Sequence, residues 1–265
     1  MLNKSTLAAL GIYSTCVCIF CLLPVFAIVG ESFTTTNFIV FPPQGFSLKW
    51  YSAILDRPEF ISSAWVSLAV ACVASLVATA LGTLCAIALV RYDFFGRGLL
   101  QTLFMAPLSL PGLIFGLALL QFFTAHNLPR DLTTLMIGHV IITMPFAIRF
   151  VTVSLTAMNG SVELAANSLG ANWFATFRLV TFPLIKAGIA ASLVFTFILS
   201  FDDVSVSLFL SSASSTTLPV RIYSYIDQNY DPLVTAVSAL IVFAAFAALA
   251  LVERVMGVGK LFGLH

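Results

Sequence analysis

Residues 62–90 read Ser62-Ser-Ala-Trp65-Val-Ser-Leu-Ala-Val70-Ala-Cys-Val-Ala-Ser75-Leu-Val-Ala-Thr-Ala80-Leu-Gly-Thr-Leu-Cys85-Ala-Ile-Ala-Leu-Val90. No charged residue interrupts the stretch. A helix crosses the hydrocarbon core of a bilayer in about 20 apolar residues, because every backbone amide must find its partner inside the segment. The run is continuous rather than alternating, which excludes a strand of a transmembrane β-barrel. Ala74, Ala78 and Gly82 stand four apart and line one helix face, where small side chains let helices approach closely in lipid.

The chain on either side repeats the pattern. Of 265 residues, 60% are hydrophobic and 9% charged, against about 25% charged in a soluble domain. The fold class is therefore all-α, a polytopic membrane protein. Six spans are predicted, at about 8–30, 62–90, 99–124, 134–155, 184–210 and 232–252. The first begins after Lys4 and runs apolar from Leu7 to Gly30. That is too long for the core of a signal peptide, and no small-x-small cleavage site follows, so it is expected to be retained. The net charge of +1 gives no reason to expect a nucleic-acid partner. All five cysteines fall inside apolar runs, with no disulfide or zinc spacing.

Lys and Arg set the expected orientation. With the N-terminus inside, Lys4, Arg91, Arg97, Arg149, Arg178, Lys186, Arg254 and Lys260 fall on inner segments and span ends. Lys49, Arg57, Arg130 and Arg221 fall on outer ones. The positive-inside rule then places both termini, and the loop 156–183, in the cytoplasm. The third span carries Pro107 and Pro111, with Gly112 and Gly116 following. Such breaks suit either a kinked, pathway-lining helix or close packing against a neighbour.

Two polar constellations stand out. The first is Glu163-Leu-Ala165-Ala166-Asn-Ser-Leu169-Gly170-Ala-Asn-Trp173-Phe174-Ala-Thr-Phe177, with Pro183 beyond it. Ala165 and Ala166 give a small face, Leu169-Gly170 a stop and turn, and Trp173, Phe174 and Phe177 apolar anchors. The segment suits a groove on a partner. It equally suits an amphipathic helix lying in the interface without one. The second is Ser200-Phe-Asp202-Asp203-Val204 in the outer half of span five. Acids within a span are costly and mark functional sites by default. They suit an incoming cation, a pairing with His139 or Arg149 on span four, or the capping of a helix break. His139 itself is expected to be a packing histidine; a proton relay would need further titratable neighbours.

The first constellation resembles the cytoplasmic coupling loop of ABC type I importer permeases, whose pattern is Glu-Ala-Ala, three residues, then Gly. Ala165, Ala166, Gly170 and Pro183 match, while the pattern's Glu falls on Leu164, one residue after Glu163. The resemblance covers about 60–252. Phe201-Asp202-Asp203-Val204, Leu218-Pro-Val-Arg-Ile-Tyr223-Ser and the opening Phe41-Pro-Pro-x-Gly45-Phe-Ser-Leu-x-Trp50-Tyr51 resemble the second permease of spermidine/putrescine importers.

The resemblance implies a first helix and periplasmic loop over 1–60, a five-helix transmembrane domain over 61–252 and a short cytoplasmic tail over 253–265. It implies ATPase coupling through Glu163, Ala165, Ala166, Leu169, Gly170, Trp173 and Phe177. Asp202, Asp203, Tyr223 and Tyr225 become candidates for the solute pathway. The implied partners are a second permease subunit, two ATPase subunits and a periplasmic solute-binding protein, in the inner membrane of a bacterial cell. The sequence holds no Gly-rich phosphate loop ending in Gly-Lys-Ser/Thr, so ATP hydrolysis is expected on another chain. No catalytic residue, metal or cofactor is expected. A self-contained secondary carrier using Asp202, Asp203 and His139 is the rival, but such carriers are built from paired repeats, and none is visible.

Overall fold

The computed structural model describes residues 3–256. Twelve helices follow in order: α1 (Lys4–Glu31), α2 (Lys49–Leu55), α3 (Pro58–Arg91), α4 (Arg97–Ser109), α5 (Gly112–Ala125), α6 (Leu132–Ala157), α7 (Ser161–Ser168), α8 (Trp173–Thr176), α9 (Phe182–Asp202), α10 (Ser205–Leu210), α11 (Leu218–Gln228) and α12 (Leu233–Met256). A π-helical turn, Phe177–Thr181, joins α8 to α9. Among the described residues, four stretches are long and apolar enough to cross a membrane: Ala9–Glu31, Pro58–Arg91, Leu132–Ala157 and Trp173–Asp202. The bent pair α4–α5 makes a fifth if counted as one span. Leu233–Ala248 of α12 is a shorter apolar stretch. The part of the predicted tail beyond residue 256, including Lys260, lies outside the described residues.

The chain forms two compact units. One takes the described residues of Met1–Ile61 and Ile222–His265; the other is Ser62–Arg221. In the first, α12 packs on α1 and α2. The loop after α1 folds back on itself: Thr35 N–H donates to the Gln44 carbonyl (2.9 Å), Ser47 N–H to the Phe33 carbonyl (2.7 Å), and the Phe33 and Phe46 rings stack.

In the second unit the small face of α3 does what its spacing predicts. Ala74 and Ala78 are fully buried. A Cβ on Gly82 would lie 2.6 Å from Ala147 Cβ on α6, so the two helices touch there at glycine distance. Beside that crossing, Ala86, Ile87 and Leu89 of α3 form a core with Ile148, Val151, Leu155 and Ile185.

The predicted third span is not one kinked helix. It is two helices bent by 112°. Pro111 explains the break: its ring disfavours the helical region for the residue before it. Leu110 is accordingly extended (φ −105°, ψ 141°). The predicted fifth span also differs. Pro183 was expected to precede it, yet the helix runs through Pro183 from Trp173 to Asp202. Proline lacks the N–H that an α-helix needs and crowds the carbonyl four residues back. The widened turn, closed by Phe182 N–H on the Phe177 carbonyl, accommodates this locally.

The two breaks meet. α10, which follows the end of α9, lies against α5, and a Cβ on Gly116 would stand 2.7 Å from the Ser205 carbonyl oxygen and 3.1 Å from Val206 Cα. Backbone cannot retreat as a flexible side chain can. Gly116→Val is therefore expected to cost roughly 1–3 kcal/mol or more through overpacking. Gly98→Ala, with open space around the added atom, is the control. Thermal melting of the two purified variants checks this: equal midpoints would contradict the close approach.

Candidate functional site: the coupling segment and the acids at the helix break

Helix α7 ends in a Schellman turn. Gly170 N–H donates to the Asn167 carbonyl (3.0 Å) and Ala171 N–H to the Ala166 carbonyl (3.1 Å). Gly170 has φ +86°, a conformation that glycine adopts freely and other residues resist. The next helix begins at once: Asn172 caps α8 by accepting from Ala175 N–H at 2.8 Å. A side-chain bond from Thr176 Oγ1 to Asn167 Oδ1 (3.0 Å) ties α8 back to α7.

The resemblance gives Glu163 a part in ATPase coupling. In the structure its carboxylate is bound within the chain. Its Oε2 lies 3.1 Å from Arg91 Nε at the end of α3, and its Oε1 accepts from Thr181 Oγ1 at 2.6 Å. The carboxylate thus joins the end of α3, the first turn of α7 and the π-helical turn. Sequence spacing missed Arg91 and Thr181 because both stand far from Glu163 along the chain. The one signal was the basic residue at the end of the second predicted span.

Polar side chains such as Asn167, Ser168 and Asn172 are exposed along the segment, and so are several large apolar ones. Leu169 is 90% exposed, and Leu164, Trp173 and Phe174 are also exposed. Exposed apolar side chains of this size suit a contact surface. Ala165 is exposed and Ala166 half-buried. Phe177, predicted as an anchor, stacks on Trp173 with ring centroids 6.0 Å apart and packs against the core of the second unit. It supports the patch from beneath.

The second constellation divides its acids. Asp203 Oδ2 accepts from Val206 N–H (3.0 Å) and Ser207 N–H (2.9 Å), capping α10 where α9 breaks. His139, wholly buried on α6, makes hydrogen bonds with the Ser200 hydroxyl through Nδ1 (2.8 Å) and the Ser207 hydroxyl through Nε2 (2.9 Å). Its Nε2 lies 3.9 Å from Asp203 Oδ2. His139 is a satisfied packing residue that pins both sides of the break. Arg149 takes no part in this cluster. Asp202, one residue earlier, is exposed as the last residue of α9.

The two candidate tyrosines lie on α11 in the other compact unit. Tyr223 is exposed. Tyr225 is buried, meets Phe60 edge-on, carries Arg57 over its ring and donates from its hydroxyl to Asp231 Oδ2 at 2.8 Å. Burial, reinforced by Asp231, pushes its phenol up to about 12, so it stays a neutral donor at physiological pH. Of the four pathway candidates, Asp203 and Tyr225 hold the fold, while Asp202 and Tyr223 are exposed.

Comparison with known proteins places the chain in a family. Spermidine/putrescine transport system permease protein PotC of Escherichia coli (strain K12) is 29% identical over 231 residues, 87% of each chain. Putrescine transport system permease protein PotI of the same strain is 32% identical over 229 residues, covering 83% of this chain and 81% of its own. In fold, the chain resembles a bacterial ABC transporter involved in the import of the acidic polysaccharide alginate. The TM-score is 0.67 at 16% identity, over 96% of this chain and 99% of that one. The family model for "binding-protein-dependent transport system inner membrane component" matches residues 78–257, and the chain belongs to that family as a PotC-like ABC type I permease.

Proposed function

We propose that the chain is the membrane-spanning subunit of an ATP-driven importer for polyamines, moving a spermidine- or putrescine-like cation inward by alternating access. The observation that carries the coupling half is the exposed Leu164, Leu169, Trp173 and Phe174 on a segment tied down by Glu163, Arg91 and Thr181. A rigid knob with an apolar tip can pass force to the bundle. The polyamine half rests on the names of PotC and PotI and on the exposed Asp202. Fold alone does not choose the cargo, since a transporter of like fold takes part in alginate import; ferric iron, a phosphonate or another small solute is the alternative.

The proposed assembly pairs this chain with a related second permease, two ATPase subunits and a periplasmic solute-binding protein in the bacterial inner membrane. α1, α3, the pair α4–α5, α6, α9 and α12 are the six proposed spans, with both termini in the cytoplasm. The tail from residue 253 would then be cytoplasmic. Residues 1–60 would form the first span and its outer loop, and 61–252 the transmembrane domain. Asp202 is proposed to meet the solute, and Tyr223, in the other unit, is proposed separately as a pathway residue. The ATPase contact is proposed to run through Leu169, Trp173, Ala165 and Ala166, with Gly170 shaping the turn.

Two measurements test this. A reporter fused at Asn167 should read as cytoplasmic and one at Ser214 as periplasmic; opposite labelling at both would overturn the orientation and the docking with it. Cells dependent on this system should lose uptake of labelled spermidine or putrescine when the chain is deleted. Unchanged polyamine uptake, with loss of another solute, would reassign the cargo.

A further inference from the structure

A cavity of about 660 Å³ opens among the end of α3, α4 and α6, all within the compact unit Ser62–Arg221. Its size is that of a ligand site, since such pockets run from roughly 300 to 1,000 Å³. Arg97, Gln101, Arg149 and Thr152 supply polar groups to its wall, and Met105 and Ile148 are among its apolar members. Arg97 is paired with Asp93. Arg149, on the spanning helix α6, has no anionic partner among the described residues. Arg149 is exposed near the C-terminal end of α6, and a basic side chain near the end of a spanning helix reaches toward the headgroup region.

A ligand here must suit an apolar wall and the Arg149 guanidinium, with Arg97 and its partner Asp93 beside it. A polyamine fails on charge. A small free anion leaves the Met105 and Ile148 side unused. An amphiphile with a phosphate head satisfies both, and basic pockets between spanning helices take such headgroups. We propose that this cavity binds an anionic phospholipid, with the phosphate at Arg149 and Arg97 and an acyl chain along Met105 and Ile148. No residue of 161–183 lines the cavity, nor does Asp202, and the proposal rests on the membrane location of the family rather than on the identity of the solute.

The test uses the full chain purified in detergent. Phosphatidylglycerol and phosphatidylcholine with the same acyl chains are added, and retained lipid is counted by native mass spectrometry. Phosphatidylglycerol should be preferred. Arg149→Gln should lower that preference by about fivefold, the factor expected for one basic residue at a membrane surface, while Arg149→Lys should keep most of it. Inorganic phosphate at millimolar concentration should not displace the lipid. Equal retention of the two lipids, an unchanged preference in Arg149→Gln, or displacement by inorganic phosphate would each overturn the proposal. A second measurement needs no variant. Phosphatidylglycerol with a photoreactive acyl chain should label peptides within 97–109 and 148–156 of the wild-type chain; labelling only elsewhere would overturn it.

Discussion

Gly170→Val is expected to leave the chain inserted in the membrane and to strip the ATPase from it. An added Cβ at Gly170 would meet nothing within 4 Å, so the damage comes from the backbone at φ +86° and not from a clash. A left-handed conformation costs an ordinary residue about 1–2 kcal/mol, and more for a β-branched one. A shift of that size changes a local equilibrium by roughly 5- to 30-fold. The Schellman turn sets the direction in which α7 hands over to α8, and so the spacing of Leu164 and Leu169 from Trp173. Gly170→Asn, which tolerates the left-handed region, should be nearly neutral, and Gly170→Ala intermediate. Co-purification of the ATPase, normalised to the amount of permease, reads the effect. ATPase recovered at the wild-type level with the valine variant would show that the turn does not set docking.

That turn was legible in the sequence, and its internal anchoring was not. Leu169-Gly170 after a small-residue helix announced a stop, because few residues besides glycine end a helix in this way. The attachment of Glu163 to Arg91 and Thr181 was hidden, since it depends on how α3 and α9 come together. The same division holds for the apolar runs. Their length and the small face of α3 announced spans and a helix contact. The 112° bend between α4 and α5 follows from Pro111, yet the sequence reading placed Pro107 and Pro111 within one helix. Pro183 was misjudged in the opposite sense, because a π-helical turn let the helix continue through it. The pair Asp202-Asp203 stands out in the sequence as a candidate site, but which acid is exposed depends on where α9 ends.

Asp202→Asn is expected to lower uptake of a cationic solute severalfold or more, with the amount of assembled protein unchanged. Asp202 is exposed at the last residue of α9, where the helix dipole disfavours an anion by about 0.3–1 kcal/mol. No structural gain is evident there, which fits a role toward a cation. Opposite unit charges about 4 Å apart attract by on the order of 4 kcal/mol at an effective dielectric of 20, before desolvation. A third of that is already about tenfold in an equilibrium.

Asp203→Ala should behave differently. It removes the acceptor for Val206 N–H and Ser207 N–H and the carboxylate beside His139. Loss of a helix cap costs about 0.5–2 kcal/mol, so less protein should reach the membrane. Uptake divided by assembled protein separates the two effects. Normal uptake with Asp202→Asn would remove this acid from the solute path and favour an anionic or neutral cargo. Normal protein levels with Asp203→Ala would show that the cap is dispensable.

The coupling claim is tested most directly by placing a photo-crosslinking amino acid at Leu169, irradiating intact cells and identifying the captured chain by mass spectrometry. Capture of an ATPase bearing a Gly-x-x-x-x-Gly-Lys-Ser/Thr loop at Leu169, and its absence when the same probe stands at exposed Phe122 on α5, is the predicted result. Failure to capture any ATPase at Leu169, or equal capture at both positions, would contradict the assignment of residues 161–183 as the coupling segment.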